Sequence, residues 1–215
     1  MTPKIVIWDW NGTVLDDLDV SLDAVNDMLE RRGIKTIDKE TYYEYLDTPI
    51  IKFYQRALGR EDVPFDEISR EFNDYYRKNI HRTALTKGVR EVIEELKHRG
   101  IPQMIISASH ISYIEAQVKE LGLEGCFEKI IAAEDYVAGS KVERAVKYMD
   151  GVKAYRTGRL VVGDTLHDYE MAKSLDARCI LLTSGHEGEK KLKRTDALVV
   201  DTLTIDHILS LKETK

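Results

Sequence analysis

Four short stretches of the chain carry side chains able to do polar chemistry, and each begins where an apolar run ends. The first is Asp9-Trp10-Asn11-Gly12-Thr13-Val14-Leu15-Asp16, which follows a run of Ile, Val and Trp at 5–8. It sets a carboxylate at the end of a buried-strand pattern. Asn-Gly between apolar residues is also a β-hairpin signal, so this stretch alone leaves both readings open. The second is Ser107-Ala108-Ser109-His110, where a hydroxyl opening a helix can donate to an anion or simply cap the helix. The third is Gly139-Ser140-Lys141. A lysine in a first helical turn opposes the helix dipole, which makes sense if it faces a bound anion, although a solvated surface lysine is the plainer reading. The fourth is Gly163-Asp164-Thr165-Leu166-His167-Asp168. Two carboxylates four apart suit a hard cation such as Mg²⁺, which takes one or two carboxylates and keeps several waters. An Asp helix cap followed by a solvated Asp would look the same.

The elements that must position these groups are legible from periodicity. Continuous apolar runs at 4–8, 101–106, 129–132, 159–162, 178–182 and 197–200 read as buried strands. Helical patterns separate them: Val89, Val92, Ile93 and Leu96; Tyr113, Ala116, Val118 and Leu121; Val142, Ala145, Val146 and Met149; Met171, Ala172 and Leu175. Alternating strands and helices predict a parallel sheet whose ligands sit beyond the strands' carboxyl ends. From 17 to 85 only helical patterns appear, at Leu18–Leu29, 39–46, 50–58 and 65–79, with Tyr42, Tyr43, Tyr45, Tyr54, Tyr75 and Tyr76 among them. The expected architecture is therefore α/β: a Rossmann-like parallel core from 1–16 and 86–215, with an all-α cap inserted at 17–85.

Composition narrows the function classes. With 215 residues, 43% hydrophobic and 33% charged, the chain can bury about 70% of its unfolded surface. A net charge of −6 argues against nucleic acid as a partner. No apolar run nears the ~18 residues of a membrane span, and the N-terminus lacks the pattern of a secretory signal. Cys126 and Cys179 follow no ligand spacing and read as reduced thiols of a cytoplasmic protein. The run of Lys190, Lys191, Lys193 and Arg194 reads as a solvated face.

Taken together and in this order, the four stretches resemble the signature motifs of the haloacid dehalogenase (HAD) superfamily. The helical insertion after the first motif is similar to the cap of its phosphoglycolate-phosphatase-like and β-phosphoglucomutase-like branch. The resemblance implies an Mg²⁺-dependent phosphatase acting on a small phosphorylated metabolite, as a monomer or homodimer. Asp9 would be the nucleophile that becomes an aspartyl-phosphate. Mg²⁺ would be held by Asp9, the Asn11 carbonyl and Asp164, with Asp168 ligating through water or orienting Asp164. Ser107, Ala108, Ser109 and Lys141 would receive the phosphoryl group, and Thr13 and Asp16 would shape the turn after the nucleophile. The cap turn Asp47-Thr48-Pro49 would face the site, with Thr48 touching substrate and Lys52 or Arg56 holding a second anionic group.

One residue departs from that pattern. The second residue after the nucleophile is usually an acid-base Asp; here it is Asn11, which cannot exchange a proton near neutral pH. The resemblance then allows a phosphatase of activated phosphates, or a phosphatase whose proton comes from His110, His167 or a cap tyrosine. It also allows a phosphometabolite-binding protein with weak or no catalysis. A dehalogenase-type C–halogen hydrolase stays open as well, although it needs no metal site. His186, after Thr183-Ser184-Gly185, is a candidate for the cleft edge. Asp9 and Asp164 more than about 7 Å apart would be incompatible with one shared Mg²⁺.

Overall fold

A computed structural model describes residues 2–133 and 141–211. The chain runs β1 (Ile5–Trp8), β2 (Leu15–Asp16), α1 (Leu18–Arg31), α2 (Lys39–Tyr45), α3 (Ile51–Leu58), α4 (Phe65–Asn79) and β3 (Ala84–Leu85). It continues through α5 (Val89–His98), β4 (Gln103–His110), α6 (Ile111–Glu120), β5 (Lys129–Ala133) and α7 (Lys141–Gly151). The last elements are β6 (Arg159–Gly163), α8 (Leu166–Ser174), β7 (Arg178–Leu182), α9 (Glu189–Leu192), β8 (Leu198–Val200) and α10 (Ile205–Ser210).

Six strands form a parallel sheet in the order β5-β4-β1-β6-β7-β8. Its apolar strands are buried on both faces. One face packs Val6, Trp8, Ile105 and Val162 against α5 and α6, and the other packs Ile5, Ile7, Ile106 and Val161 against α7 and α8. This two-sided burial is why the strands read as unbroken apolar runs rather than alternating ones. The buried amide of Gln103 is satisfied by the Trp8 indole, whose Nε1 donates to it over 3.0 Å, and by the Ile93 carbonyl. Strand order reverses about β1, the position at which open α/β sheets form their ligand crevice.

Helices α1–α4 lie between β2 and β3, which pair antiparallel, Leu15 with Leu85 and Asp16 with Ala84. The pairing brings the two ends of the helical segment together. The segment has a core of its own, built from Leu18, Val25, Met28, Leu29, Tyr42, Phe53, Tyr54 and Ile68. Tyr42 and Tyr54 are thus packing residues first. Asn11-Gly12 does not make a hairpin within the main sheet. Gly12 at φ 74° instead closes a tight loop in which its N–H donates to the Leu15 carbonyl over 2.8 Å. Among the described residues, no helix is long and apolar enough to cross a membrane.

Candidate active site

Asp9 and Asp164 directly follow the neighbouring strands β1 and β6, and Ser107 lies in the carboxyl half of β4, on the other side of β1. Oxygen atoms of Asp9, Asp164 and Asp168 all lie within 4.8 Å of one another, and all three residues are buried. Two ~2.1 Å bonds to one Mg²⁺ span up to ~4.2 Å, so this bound is close to the spacing of shared ligands and far inside the 7 Å limit. Lys141, at the start of α7, enters the same cluster. Its ammonium donates to Asp168 Oδ1 over 2.6 Å and to Asp9 Oδ1. Gly139 and Ser140 lie outside the described residues.

Each carboxylate has a different task. Asp168 Oδ2 accepts from the Asp164 N–H, the Thr165 N–H and the Thr165 hydroxyl, closing a capping box on α8. It therefore orients the turn that carries Asp164. Asp164 accepts from the Thr13 hydroxyl at 2.9 Å and the His186 N–H at 2.7 Å, which leaves lone pairs directed elsewhere. Three glycines close around these groups. A Cβ on Gly12 or Gly185 would sit 2.2 Å from Asp164 Oδ2, and one on Gly163 would sit 2.3 Å from Asp168 Cβ.

The charges do not balance. Burial pushes the Asp9 carboxyl up to about 6 against the pull of Lys141, with Asp168 adding repulsion. Burial likewise raises Asp164 well above the carboxylate range, opposed by His186 and reinforced by Asp9 and Asp168. Burial also disfavours the charge on Asp168, but Lys141 and Thr165 outweigh it and hold that group low. Three carboxylates and one ammonium leave an excess of negative charge in a dry site. A divalent cation relieves such repulsion, and an all-oxygen donor set fits Mg²⁺.

Asn11 belongs to a second network beside the first. Its Nδ2 donates to Asp17 Oδ2 and to the Tyr76 hydroxyl, both at 2.8 Å, and its Oδ1 accepts from the Ser109 hydroxyl at 2.7 Å. Tyr76 in turn donates to Asp17 Oδ2 over 2.7 Å. Asp17 also accepts from the Gly12 N–H at 2.7 Å and pairs with His186 Nε2 at 3.0 Å. The other His186 ring nitrogen meets the Tyr42 hydroxyl at 3.0 Å. Burial opposes the imidazolium, but Asp17 more than compensates and lifts His186 to about 9. Asp17 is held below the carboxylate range despite its burial, by His186, Tyr76 and Asn11. These bonds join α1, α2 and α4 to the loop after β7.

The structure brings Asp9, Asn11, Ser107, Ala108, Ser109, Lys141 and Asp168 to one cavity of about 640 Å³, with His110, His167 and His186 in its wall. Asp164 is fully buried beneath them. Thr48 is exposed and is not among the residues of the cavity wall, and Asp47 beside it pairs with Arg56 at 2.5 Å and with Lys52 at 3.7 Å. Both basic side chains are thereby committed outside the cavity. Asp16 is also exposed, and the buried carboxylate after the nucleophile is its neighbour Asp17. Asp17 was missed by the sequence reading, and Tyr42 and Tyr76 were candidates only as two of six cap tyrosines. The available signal was the pair of adjacent acids at 16 and 17, of which the first is exposed and the second buried.

The haloacid dehalogenase-like hydrolase family model matches residues 6–182. The chain belongs to that family. A phosphoglycolate phosphatase of Pseudomonas fluorescens is 26% identical over 213 residues, covering 94% of this chain and 77% of the relative. One of Vibrio parahaemolyticus is 21% identical, covering 94% and 93%. Among solved structures, a HAD hydrolase of family IA, variant 3, from Entamoeba histolytica superposes with a TM-score of 0.77 at 20% identity, covering 96% of this chain and 97% of that one. A haloacid dehalogenase-like family protein from Streptococcus pneumoniae gives 0.77 at 19%, covering 93% of each. At these identities the structural matches speak for the fold.

Proposed function

We propose that this family member is an Mg²⁺-dependent phosphatase that transfers the phosphoryl group of a small phosphorylated metabolite to Asp9 and then to water. The observation that carries this reading is the cluster of Asp9, Asp164 and Asp168 with Lys141 between two of them. Phosphoglycolate phosphatase relatives along 94% of the chain support the same reaction class.

The cation would be held by Asp9, the Asn11 carbonyl and Asp164, and would supply positive charge to the phosphoryl oxygens. The protein's own groups do the rest. Asp9 offers a carboxylate oxygen to phosphorus, so that one hard displacement becomes two easier ones. Lys141 and the Ser107 hydroxyl favour the charge on the phosphoryl oxygens, and Lys141 keeps Asp9 ionised. Asp168 fixes the Asp164 turn through its three hydrogen bonds. Residues 17–85 would act as one cap over this site, excluding bulk water when the Asp17–His186 and Tyr42–His186 contacts are made.

A carbon–halogen substrate needs no divalent cation, so the acidic cluster favours the phosphatase over a dehalogenase. The test is hydrolysis of acetyl phosphate with Mg²⁺ and with EDTA, in the wild type and in Asp9→Asn. Turnover that needs both Mg²⁺ and Asp9 supports the proposal. Mg²⁺-independent turnover, or full activity in Asp9→Asn, contradicts it. Ligand binding without turnover would favour a phosphometabolite-binding protein.

A further inference from the structure

The cavity that contains Asp9 is far larger than a phosphoryl group. At about 640 Å³ it falls within the ~300–1,000 Å³ of pockets that enclose drug-sized ligands. Beyond the polar end its walls come from α4, the residues just after it, and α6: Phe72, Tyr76, Ile80, Tyr113 and Ala116, with Ile50 across from them. Phe72 and Tyr76 stack with ring centroids 5.8 Å apart and planes inclined by 19°. The Tyr76 hydroxyl bonds to Asn11, so this aromatic surface begins two residues from the nucleophile. The wall offers little to a second anion. Its guanidinium, Arg77, is taken up by Asp74 and by the Tyr113 hydroxyl at 3.0 Å, and Glu120 adds a negative charge.

The groups next to Asp9 are equally specific about protons. Asn11 has no acidic proton, Tyr76 gives its hydroxyl to Asp17, and Ser109 gives its hydroxyl to Asn11. Of the imidazoles in the wall, His186 is held between Asp17 and Tyr42, His110 meets the Ser112 hydroxyl at 2.8 Å, and His167 faces Glu170 at 3.7 Å. A substrate that leaves as a stable anion avoids the ~10²–10⁴ rate penalty of a missing general acid. Small acyl phosphates such as acetyl phosphate are such substrates but leave most of the cavity empty. Phosphoanhydrides leave as polyanions, and the guanidinium of this part of the wall, Arg77, is already paired with Asp74 beside the negative charge of Glu120.

Resting on the phosphatase reading, we propose that the natural substrate is an aryl phosphate, its ring seated between α4 and α6. Asp9 forms the new P–O bond as the P–O(aryl) bond breaks. The electron pair leaves on the phenolic oxygen, which takes a proton from solvent. Water then attacks the phosphorus of aspartyl-phosphate, regenerating the carboxylate and releasing dihydrogen phosphate.

The experiment compares kcat/KM for phenyl phosphate, phosphoglycolate and acetyl phosphate, with Mg²⁺, in the wild type and in Ala116→Trp. Ala116 is exposed on α6, so the indole fills the cavity without entering the core. Phenyl phosphate is expected to exceed phosphoglycolate by about a hundredfold. Ala116→Trp is expected to lower the phenyl-to-acetyl ratio by about tenfold, mainly through KM. Leaving-group acidity cannot produce that second effect. Acetyl phosphate turnover with phosphoglycolate equal to or better than phenyl phosphate, or an unchanged ratio in Ala116→Trp, overturns the aryl assignment and leaves the phosphatase standing. No turnover of any of the three overturns both.

Discussion

The carboxamide of Asn11 donates to the carboxylate of Asp17 across 2.8 Å. Asn11 is therefore more than a missing acid: it is the neutral partner that lets a buried Asp17 stay ionised beside it. Asn11→Asp places two carboxylates at that distance, and one must take up a proton. The variant is expected to lose about 1–3 kcal/mol of stability, since a buried hydrogen bond to a charge is broken. The shared proton is held more tightly in the folded than in the unfolded state. Its contribution to stability is therefore present at low pH and lost as pH rises. Urea melts at pH 5 and pH 8 check this, the deficit being larger at pH 8. If the new carboxyl reaches the leaving oxygen, alkyl phosphates gain rate relative to phenyl phosphate, toward the ~10²–10⁴ of a restored general acid.

Lys141 is the only cation bonded to both Asp9 and Asp168 among the described residues. Lys141→Ala strands two buried carboxylates and is expected to cost about 3–5 kcal/mol in EDTA. Saturating Mg²⁺ should recover part of the loss, because a cation at Asp9 relieves the same repulsion. Denaturation with and without Mg²⁺ measures both effects. Equal deficits in the two conditions would mean that the cation does not bind beside Lys141.

Gly185 lies against Asp164 so closely that a Cβ there would sit 2.2 Å from Oδ2. Gly185→Ala must push the carboxylate aside, at about 1–3 kcal/mol for overpacking. A shift of ~1 Å in a reacting group costs about 10²-fold in rate, and the Mg²⁺-dependent rise in Tm should shrink in parallel. Thermal melts with added Mg²⁺ and acetyl phosphate assays test the two consequences separately.

The Asp17–His186 pair ties the helical segment to the loop after β7. The pairing is tested in EDTA, without a cation at Asp164. Burial opposes the charge on His186, but Asp17 outweighs it and raises the imidazole from 6.5 to about 9. Its contribution to stability is complete below the unfolded value of about 6.5 and is lost as pH rises through about 9. Wild-type Tm should therefore fall between pH 7 and 9, and His186→Gln should flatten that fall. A Tm that rises over this interval contradicts the pairing.

The core of the site was readable because it depends on strand ends. Asp9, Ser107 and Asp164 each follow an apolar run, and a parallel sheet brings such positions together whatever the loop details. The helices of the insertion were readable from their stripes, and α4 has the bounds that its pattern predicts. The second network was not readable, because His186 and Asp17 are 169 residues apart and meet only through the docking of α1, α2 and α4 on the sheet. Thr48 shows the same limit from the other side. Periodicity located its turn, but not that Asp47 beside it pairs with Arg56 and Lys52. The strand carrying Ser107 also runs further than its apolar stretch, to His110, which pairs with Ala133 beyond a register shift after Ile106.

The most direct measurement is to quench the enzyme during steady turnover of phenyl phosphate or acetyl phosphate with Mg²⁺ and to map the phosphoryl group by peptide mass spectrometry. The mechanism predicts a phosphoryl adduct on Asp9 that appears with substrate and disappears in EDTA. Turnover without any adduct, or an adduct on another residue, would contradict it.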